Sequence, residues 1–380
     1  MRKTRRQTAR SLWRNLHLGL GLVAGLGFAF LGVTGSLLVF YKEIDAALNP
    51  ALFTRQSSSG KSAAIAALAA AVVRDIGPVL RIDLPADSNG VVRIQARRRS
   101  VPQDLLEVFV DPGDGQILGT RPWRSNIVAV VYDLHYSLLA GRSGRDIVGF
   151  AGMGLLLSLA RGLYLWWPRA GGLRRALHVK RRAPFARRVY DIHKSAGLPA
   201  VVLLSVSALS GIAMEFPETT QAITHTVLPA ASSQTSSRTA FADSERDSAL
   251  AAAIAEARAI VPDGRIRRIL MPNATANTYR LYLRRPGEML RSSGLNIVTI
   301  DARTGEVTEV KTTRAYRAAD WFLAWQFPLH NGEAFGVAGR LAVFVLGLLP
   351  ATLYVTGLLI WYNKRYARKR SEDARRLRLQ

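Results

Sequence analysis

The chain has 380 residues, a net charge of +25, no cysteine, and hydrophobic residues at 49% of its positions. That apolar content excludes a disordered chain, and the missing cysteines exclude disulfides, thiolate metal sites, iron–sulfur clusters and thioether-linked haem. So large a positive charge points to nucleic acid or to a membrane surface, and its placement along the chain decides between them.

Residues 1–16 are a basic segment carrying Arg2, Lys3, Arg5, Arg6, Arg10 and Arg14. An apolar stretch follows, Leu18–Tyr41. It is long enough for the ~30 Å core of a bilayer, which takes about 20 helical residues. It is too long for a signal-peptide core and no small-residue cleavage site follows it, so 17–41 reads as a retained membrane helix. Residues 42–134 then hold an alanine-rich helical stretch, Ser62–Ile76, and strand-like runs at Val79–Leu84, Val91–Ala96 and Leu105–Val110. An Asp-Pro-Gly-Asp-Gly turn follows at 111–115. A second apolar stretch, Ile147–Trp167, ends the segment 135–167, and the connection 168–192 is again basic, from Arg169, Arg174 and Arg175 to Arg187 and Arg188. The third stretch, Ser195–Phe216, defines a segment 193–216.

Residues 217–329 repeat the outer pattern. They hold a helical stretch Ser248–Ile260, runs Ile266–Met271, Tyr279–Leu283 and Leu295–Ile300, and an Asp-Ala-Arg-Thr-Gly turn at 301–305. Alternation and turn chemistry predict strands in both copies. The fourth stretch, Leu341–Tyr362, closes 330–362, and the tail 363–380 carries eight more cations, Lys364 to Arg378. The three basic segments lie on one side of a four-span chain and hold most of its charge. The positive-inside rule makes that side cytoplasmic, with both termini there, and no nucleic acid is needed to explain the charge. Residues 42–134 and 217–329 lie outside. The predicted fold is an α-helical membrane protein with four transmembrane helices and two α+β domains, each one helix on a small antiparallel sheet, on the outer side.

The chain also repeats internally. His17, Gly21, Gly35 and Phe40 recur as His193, Gly197, Gly211 and Phe216, 176 positions on. His135, Gly144, Arg145 and Trp166 recur as His330, Gly339, Arg340 and Trp361, 195 positions on. The unit of helix, outer domain and helix is used twice in one orientation, a parallel duplication about an axis along the membrane normal.

Such an axis brings His17 and His193 to one depth near the cytoplasmic face, and His135 and His330 to one depth near the outer face. Two imidazoles on facing helices suit the two axial positions of a haem iron, so two pairs give two haems. Gly21 lies one turn after His17 and Gly35 five turns after it, on the same face. Gly197 and Gly211 repeat this, and small residues beside the ligands leave room for a flat macrocycle; they equally permit close helix packing. Arg145, Arg340 and Arg161 are membrane-edge cations suited to haem propionates. Arg161 has Thr356 in the corresponding place and also reads as a side chain snorkelling to the cytoplasmic face. Trp123, Tyr132, Tyr136, Trp321, Trp325 and Phe327 form either an interfacial aromatic belt or a shelf for substrate near the outer pair. His178 and His225 read as non-ligands. No P-loop and no dinucleotide fingerprint follows a predicted strand, so the chain has no flavin or nicotinamide site of its own to point to.

Four helices, paired histidines at helix starts, duplicated helix-plus-sheet segments and the turns at 111–115 and 301–305 together resemble the PepSY-associated transmembrane proteins. Within them, length and the four histidines look closest to the inner-membrane ferrisiderophore reductases of Gram-negative bacteria, of the FoxB (ferrioxamine) type. The resemblance covers nearly the whole chain. It implies two haem b groups and reduction of a periplasmic ferric siderophore with electrons from inside, from a cytoplasmic or quinol donor. The alternatives are a quinol-linked cytochrome with another acceptor and a haem-free envelope regulator that binds a peptidase.

Overall fold

A computed structural model describes residues 5–57, 64–87, 89–101, 103–167, 178–231, 239–240 and 249–377. The basic residues Arg169, Arg174 and Arg175 and the starts of both predicted outer helices, Ser62 and Ser248, lie outside the described residues. In chain order the helices are α1 (Arg5–Val23), α2 (Gly25–Val39), α3 (Tyr41–Leu48), α4 (Pro50–Phe53) and α5 (Ile65–Asp75). Strands β1 (Val79–Asp83), β2 (Val92–Arg97), β3 (Leu105–Val110) and β4 (Ile117–Pro122) follow, then α6 (Ile127–Ser137), α7 (Gly141–Trp166), α8 (Phe185–Glu215), α9 (Pro217–Val227) and α10 (Ala249–Ile260). Strands β5 (Arg265–Leu270), β6 (Thr278–Arg284), β7 (Asn296–Asp301) and β8 (Val307–Lys311) come next. The chain ends with α11 (Ala318–His330), a short 3-10 turn, α12 (Gly336–Gly347) and α13 (Leu349–Leu377). It divides into a helical unit, residues 1–40, 131–220 and 329–380, and a sheet unit, residues 41–130 and 221–328.

In the helical unit three stretches are long and apolar enough to cross a membrane: Gly141–Trp166, Phe185–Glu215 and Glu333–Asp373. Arg10–Val23 with Gly25–Val39 makes a fourth if the pair acts as one span. Val23, Leu26, Phe150, Val202 and Val345 each expose more than half of their surface, which suits lipid rather than water. The expected straight first span is a bent one, with 55° between its arms. The bend falls at Ala24 beside Gly25, where the Tyr354 ring stands 2.7 Å from the place a Cβ would take; a glycine and an intruding side chain are ordinary causes of a kink. The third span begins eight residues before the expected 193. Pro184 sets its start, and Asp191, bonded by Arg187 and Lys194 one turn either side, carries helical geometry into charged sequence. α2 meets α12 backbone to backbone. A Cβ on Gly32 would run into the Gly347 carbonyl oxygen, and the Ser36 hydroxyl donates to the Phe344 carbonyl at 2.8 Å.

The sheet unit departs from the expected pair of outer domains. All eight strands form one antiparallel sheet in the order β4-β3-β2-β1-β5-β6-β7-β8. Each half is a meander, and the halves join where β1 pairs β5. Ile82 and Ile269 face each other at that seam, both without exposure, and Arg268 bonds the Asp83 carboxylate across it at 2.7 Å. α5 and α10 cover one face, and Val72, Ile94, Val108, Ala257, Leu281 and Val298 make one continuous core from both halves. Two half-sheets this small bury little apart; joined, they share a core. The two turns match as expected. Gly115 and Gly305 have φ of 78° and 72°, a region that costs glycine nothing, and each N–H donates to the carbonyl of Asp111 or Asp301 at 2.9 Å.

Asp111 is fully buried. Its carboxylate accepts from the Gln56 N–H at 2.8 Å, the Ser57 N–H at 2.9 Å, the Ser57 hydroxyl at 2.7 Å and the Gly113 N–H at 2.8 Å. Arg55 pairs with it at 3.2 Å. Burial alone would raise this carboxyl, but the bonds from Ser57, Gly113 and Gln56 outweigh it and hold the group well below the usual carboxylate range. A folded value below the unfolded one of about 3.9 gives stability that is complete above that pH and drains away as pH falls further. Asp111→Ala is expected to destabilise the sheet unit by about 3 kcal/mol, since it leaves several N–H groups unpaired and takes one partner from the half-buried Arg55. Asp111→Asn should flatten the acid limb of the stability curve. Thermal unfolding between pH 3 and 7 checks both, and an acid limb unchanged in Asp111→Asn would exclude this carboxylate as its source.

Candidate functional site

The four repeat-matched histidines meet in two pairs, both within the helical unit. His17 on α1 faces His193 on α8, with ring centres 6.5 Å apart and planes at 77°. His135, near the end of α6, faces His330, the last residue of α11, at 6.1 Å and 53°. Along α8, His193 and Gly211, the glycine beside His330, are about 27 Å apart at 1.5 Å per residue. The two pairs are therefore separated by most of a bilayer core.

In three of the four rings the Nδ1 nitrogen is occupied. His135 Nδ1 lies 3.0 Å from the Leu31 carbonyl and 3.2 Å from the Thr34 hydroxyl. His330 Nδ1 lies 2.9 Å from the Ser207 carbonyl and 3.2 Å from the Ser210 hydroxyl. Leu31 and Thr34 correspond to Ser207 and Ser210 at the same spacing that relates His17 to His193. His193 Nδ1 lies 2.9 Å from the Thr356 hydroxyl. A ring that donates from Nδ1 to a fixed acceptor has its Nε2 lone pair free and aimed. His17 differs: its Nδ1 is buried with no hydrogen-bond partner among the described residues.

Each ring also rests on a glycine. A Cβ would stand 2.8 Å from His135 Cε1 at Gly35, 3.2 Å from His330 Cε1 at Gly211, 3.5 Å from His17 Cε1 at Gly162 and 3.4 Å from His193 Cε1 at Gly357. Gly35 and Gly211 were expected beside the ligands of their own helices, His17 and His193, and instead meet His135 and His330, because five helical turns carry them to the other pair. Gly162, Gly357, Thr34, Ser210 and Thr356 were not expected, although Gly162 and Gly357 carry the same spacing of 195 that relates His135 to His330. Gly21 and Gly197 do not touch the rings; nothing lies within 4 Å of either Cβ position.

Of the expected arginines, Arg145 is engaged by Glu215, with Nε 3.1 Å from Oε2, and its guanidinium lies over Tyr136 at 4.8 Å. Arg340 donates through Nη2 to the Val39 carbonyl at 2.7 Å and lies over Phe40 at 4.6 Å. Val39 and Glu215 correspond in the two halves, so the arginines have matching anchors and only one has a carboxylate there. Arg161 lies over Trp13 at 5.5 Å. The six aromatics divide between the units. Tyr132 and Tyr136 pack together in the helical unit at 5.4 Å. In the sheet unit Trp321 packs on Tyr316 at 5.2 Å, and Arg81 lies over Trp123 at 5.5 Å; Trp325 and Phe327 share α11 with Trp321. His178 and His225 are exposed.

Chemically, each pair offers two imidazole donors and, among the described residues, no cluster of three or more protein ligands forms. Two trans imidazoles bound at about 2 Å to one metal put their ring centres about 6 Å apart, the spacing seen in both pairs.

No curated protein matches the chain. A family model described as the PepSY-associated TM region matches residues 14–364. The chain belongs to that family.

The glycine contacts separate two kinds of position. Gly35→Ala forces a ring to move and is expected to cost about 1–3 kcal/mol by overpacking; Gly211→Ala, where the contact is 3.2 Å, asks the ring to give by only a few tenths of an ångström and should cost less. Gly21→Ala and Gly197→Ala meet nothing and should be neutral or slightly stabilising, since alanine is the better helix former. Thermal midpoints of the four variants, free of added cofactor, check this. Equal losses at all four would refute the packing described.

Proposed function

We propose that this member of the PepSY-associated transmembrane family is a membrane electron-transfer protein that holds two b-type haems, one on His17 and His193 and one on His135 and His330, and reduces a ferric siderophore outside the membrane in the manner of FoxB-type ferrioxamine reductases. The observation that carries this reading is the pairing itself: two imidazole pairs with axial spacing, at one depth each, on helices that repeat one another. We read the chain as a parallel duplication of helix, outer segment and helix. The fit extends to the surroundings, because the Nδ1 partners leave Nε2 free and the glycines leave space beside the rings. The basic ends near His17 and His193 put that side in the cytoplasm by the positive-inside rule, with the sheet segments in the periplasm and the spans in a bacterial inner membrane.

Bound there, each haem supplies one-electron redox chemistry, with the ferric ion of the chelate as the electron's destination and a quinol or a cytoplasmic reductant as its source. The protein's own part is to fix the axial nitrogens, exclude water with lipid-facing helices and present the outer pair to the periplasm. Reduction releases the metal, since ferrous iron is held far less tightly than ferric by hard oxygen donors.

Pyridine haemochrome analysis of protein made with haem available is expected to give about two b-type haems per chain. His17→Ala and His193→Ala should lose the same one, and His135→Ala and His330→Ala the other. A protein with no Soret band, or a single centre shared by the His17 and His135 variants, would refute the assignment. In protein prereduced with dithionite and freed of excess, ferrioxamine should reoxidise haem and yield Fe(II). His330→Ala should abolish the fast phase while keeping the inner centre; wild-type rates in that variant would exclude electron exit at the outer pair.

A further inference from the structure

Helices α5 and α10 pack on one face of the sheet, and the strand register fixes what stands on the other. Arg81 on β1 is opposite Leu270 on β5, and Leu270 is opposite Arg280 on β6. In the next row Arg93 on β2 is opposite Asp83 on β1, Asp83 opposite Arg268 on β5, and Arg268 opposite Tyr282 on β6. Residues that pair across strands, or alternate along one, share a face. Four arginines from both halves of the sheet therefore stand together around the β1–β5 seam, and neither half presents them alone. Their side chains keep 26%, 25%, 30% and 41% of their surface exposed, for Arg81, Arg93, Arg268 and Arg280 in turn, so a ligand can reach all four.

The acids on this face leave the cations in excess. Arg81 and Arg268 both donate through Nε to Asp83, at 2.6 and 2.7 Å. Burial pushes the Asp83 carboxyl up, and the charges of Arg268, Arg81 and Arg93 outweigh it and hold the group below the usual range. Glu107 is taken by Arg121 at 2.7 Å and stands 3.6 Å from Arg93. Glu309 is 3.9 Å from Arg280, beyond hydrogen-bond reach. Arg280 Nε is buried with no hydrogen-bond partner among the described residues, and so is Nε of Arg284, two positions beyond Tyr282 on the same face. Buried donors without acceptors are uncommon in native proteins because each forfeits its hydration.

We infer that this face binds a polycarboxylate anion across the β1–β5 seam, on Arg81, Arg93, Arg268 and Arg280. A planar guanidinium takes a carboxylate through two parallel N–H donors. Arg93 and Arg280 are three strand spacings apart, about 14 Å, which suits an anion with several spread charges and not the single charge of a lipid phosphate. The polycarboxylate has two sources. One is the chelator around a ferric ion, which rests on the function proposed above and makes anionic chelates better substrates than ferrioxamine. The other is a free polycarboxylate, which does not rest on it.

The test uses the full-length protein in detergent and the gallium(III) citrate complex, which is not reduced, so binding is read by calorimetry with or without haem. Arg93→Gln and Arg280→Gln remove the two arginines whose carboxylates are most distant. Each should weaken binding about tenfold, as expected for one charge-assisted contact, with thermal midpoints near wild type. Arg280→Lys should keep part of the affinity, and Arg303→Gln, on the exposed turn after β7, should bind as wild type does. Metal-free citrate that binds as tightly and loses as much in the variants assigns the site to the free anion. Absence of binding in wild type, or equal affinity in wild type and in the Arg93→Gln/Arg280→Gln double variant, overturns the proposal. So does loss of phosphatidylglycerol binding in the double variant with no binding of citrate in either form, which gives the face to lipid. Arginine-dependent binding in a protein that holds no haem would sink the dihaem reading and leave this site standing.

Discussion

An imidazole in an apolar bundle must place its one N–H, and where it does so settles what the other nitrogen can do. In His135, His330 and His193 the Nδ1 position is held by groups of neighbouring helices. That fixes each ring's rotation as well as its protonation, so that two rings approach with their remaining nitrogens available. Burying such a ring without a partner would cost about 1–3 kcal/mol, so α2, α8 and α13 are tied to the histidines they serve. The glycines act on the same rings from the other side. At Gly35 even a methyl group would displace the ring it meets, and at Gly211 it would press on one.

The sheet unit is organised by buried charge in a comparable way. Arg121 donates bidentately to Asp45 at 2.7 and 2.6 Å and reaches Glu107 at 2.8 Å, which ties α3 to strands β3 and β4. Asp111 draws the chain around Ser57 onto its turn. Asp320 does the same for the second half, bonding the Ala231 N–H at 2.8 Å and Lys311 at 3.0 Å. Breaking such a group apart costs more than its presence contributes, because the partner is left charged and dry. These carboxylates therefore fix geometry more than they add stability.

Much of this was legible in the sequence wherever residues recur at a fixed spacing. The histidines, Gly35 with Gly211, and the turns ending at Gly115 and Gly305 all appear twice, and a residue that recurs with its neighbours declares a shared environment. Strands were legible because Val92, Ile94 and Ala96 alternate with Arg93, Gln95 and Arg97, and the buried set is the apolar one. The union of two sheets into one was not legible. The β1–β5 seam is made by backbone hydrogen bonds, which any sequence can offer, and its charged pair, Asp83 with Arg268, looks like any surface pair. Apolar counting located the spans and missed the bend at Ala24 and the early start of α8. It measures a segment's match to lipid, while helix geometry is set by Pro184, Gly25 and the Asp191 pairs. Gly162 and Gly357 went unseen because glycine in a membrane helix usually serves helix contact, and only the ring beside it distinguishes the two uses.

The seam between β1 and β5 also sets an order of events during synthesis. β1 is made early, and β5 emerges only after α7 and α8, which lie between them in the chain. Until then the first half-sheet has its pairing edge open and half of its core missing, a condition that invites association with any extended strand nearby. Contacts so distant along the chain form slowly. The sheet is thus complete only once the helices between its two halves, α6 to α10, have been made.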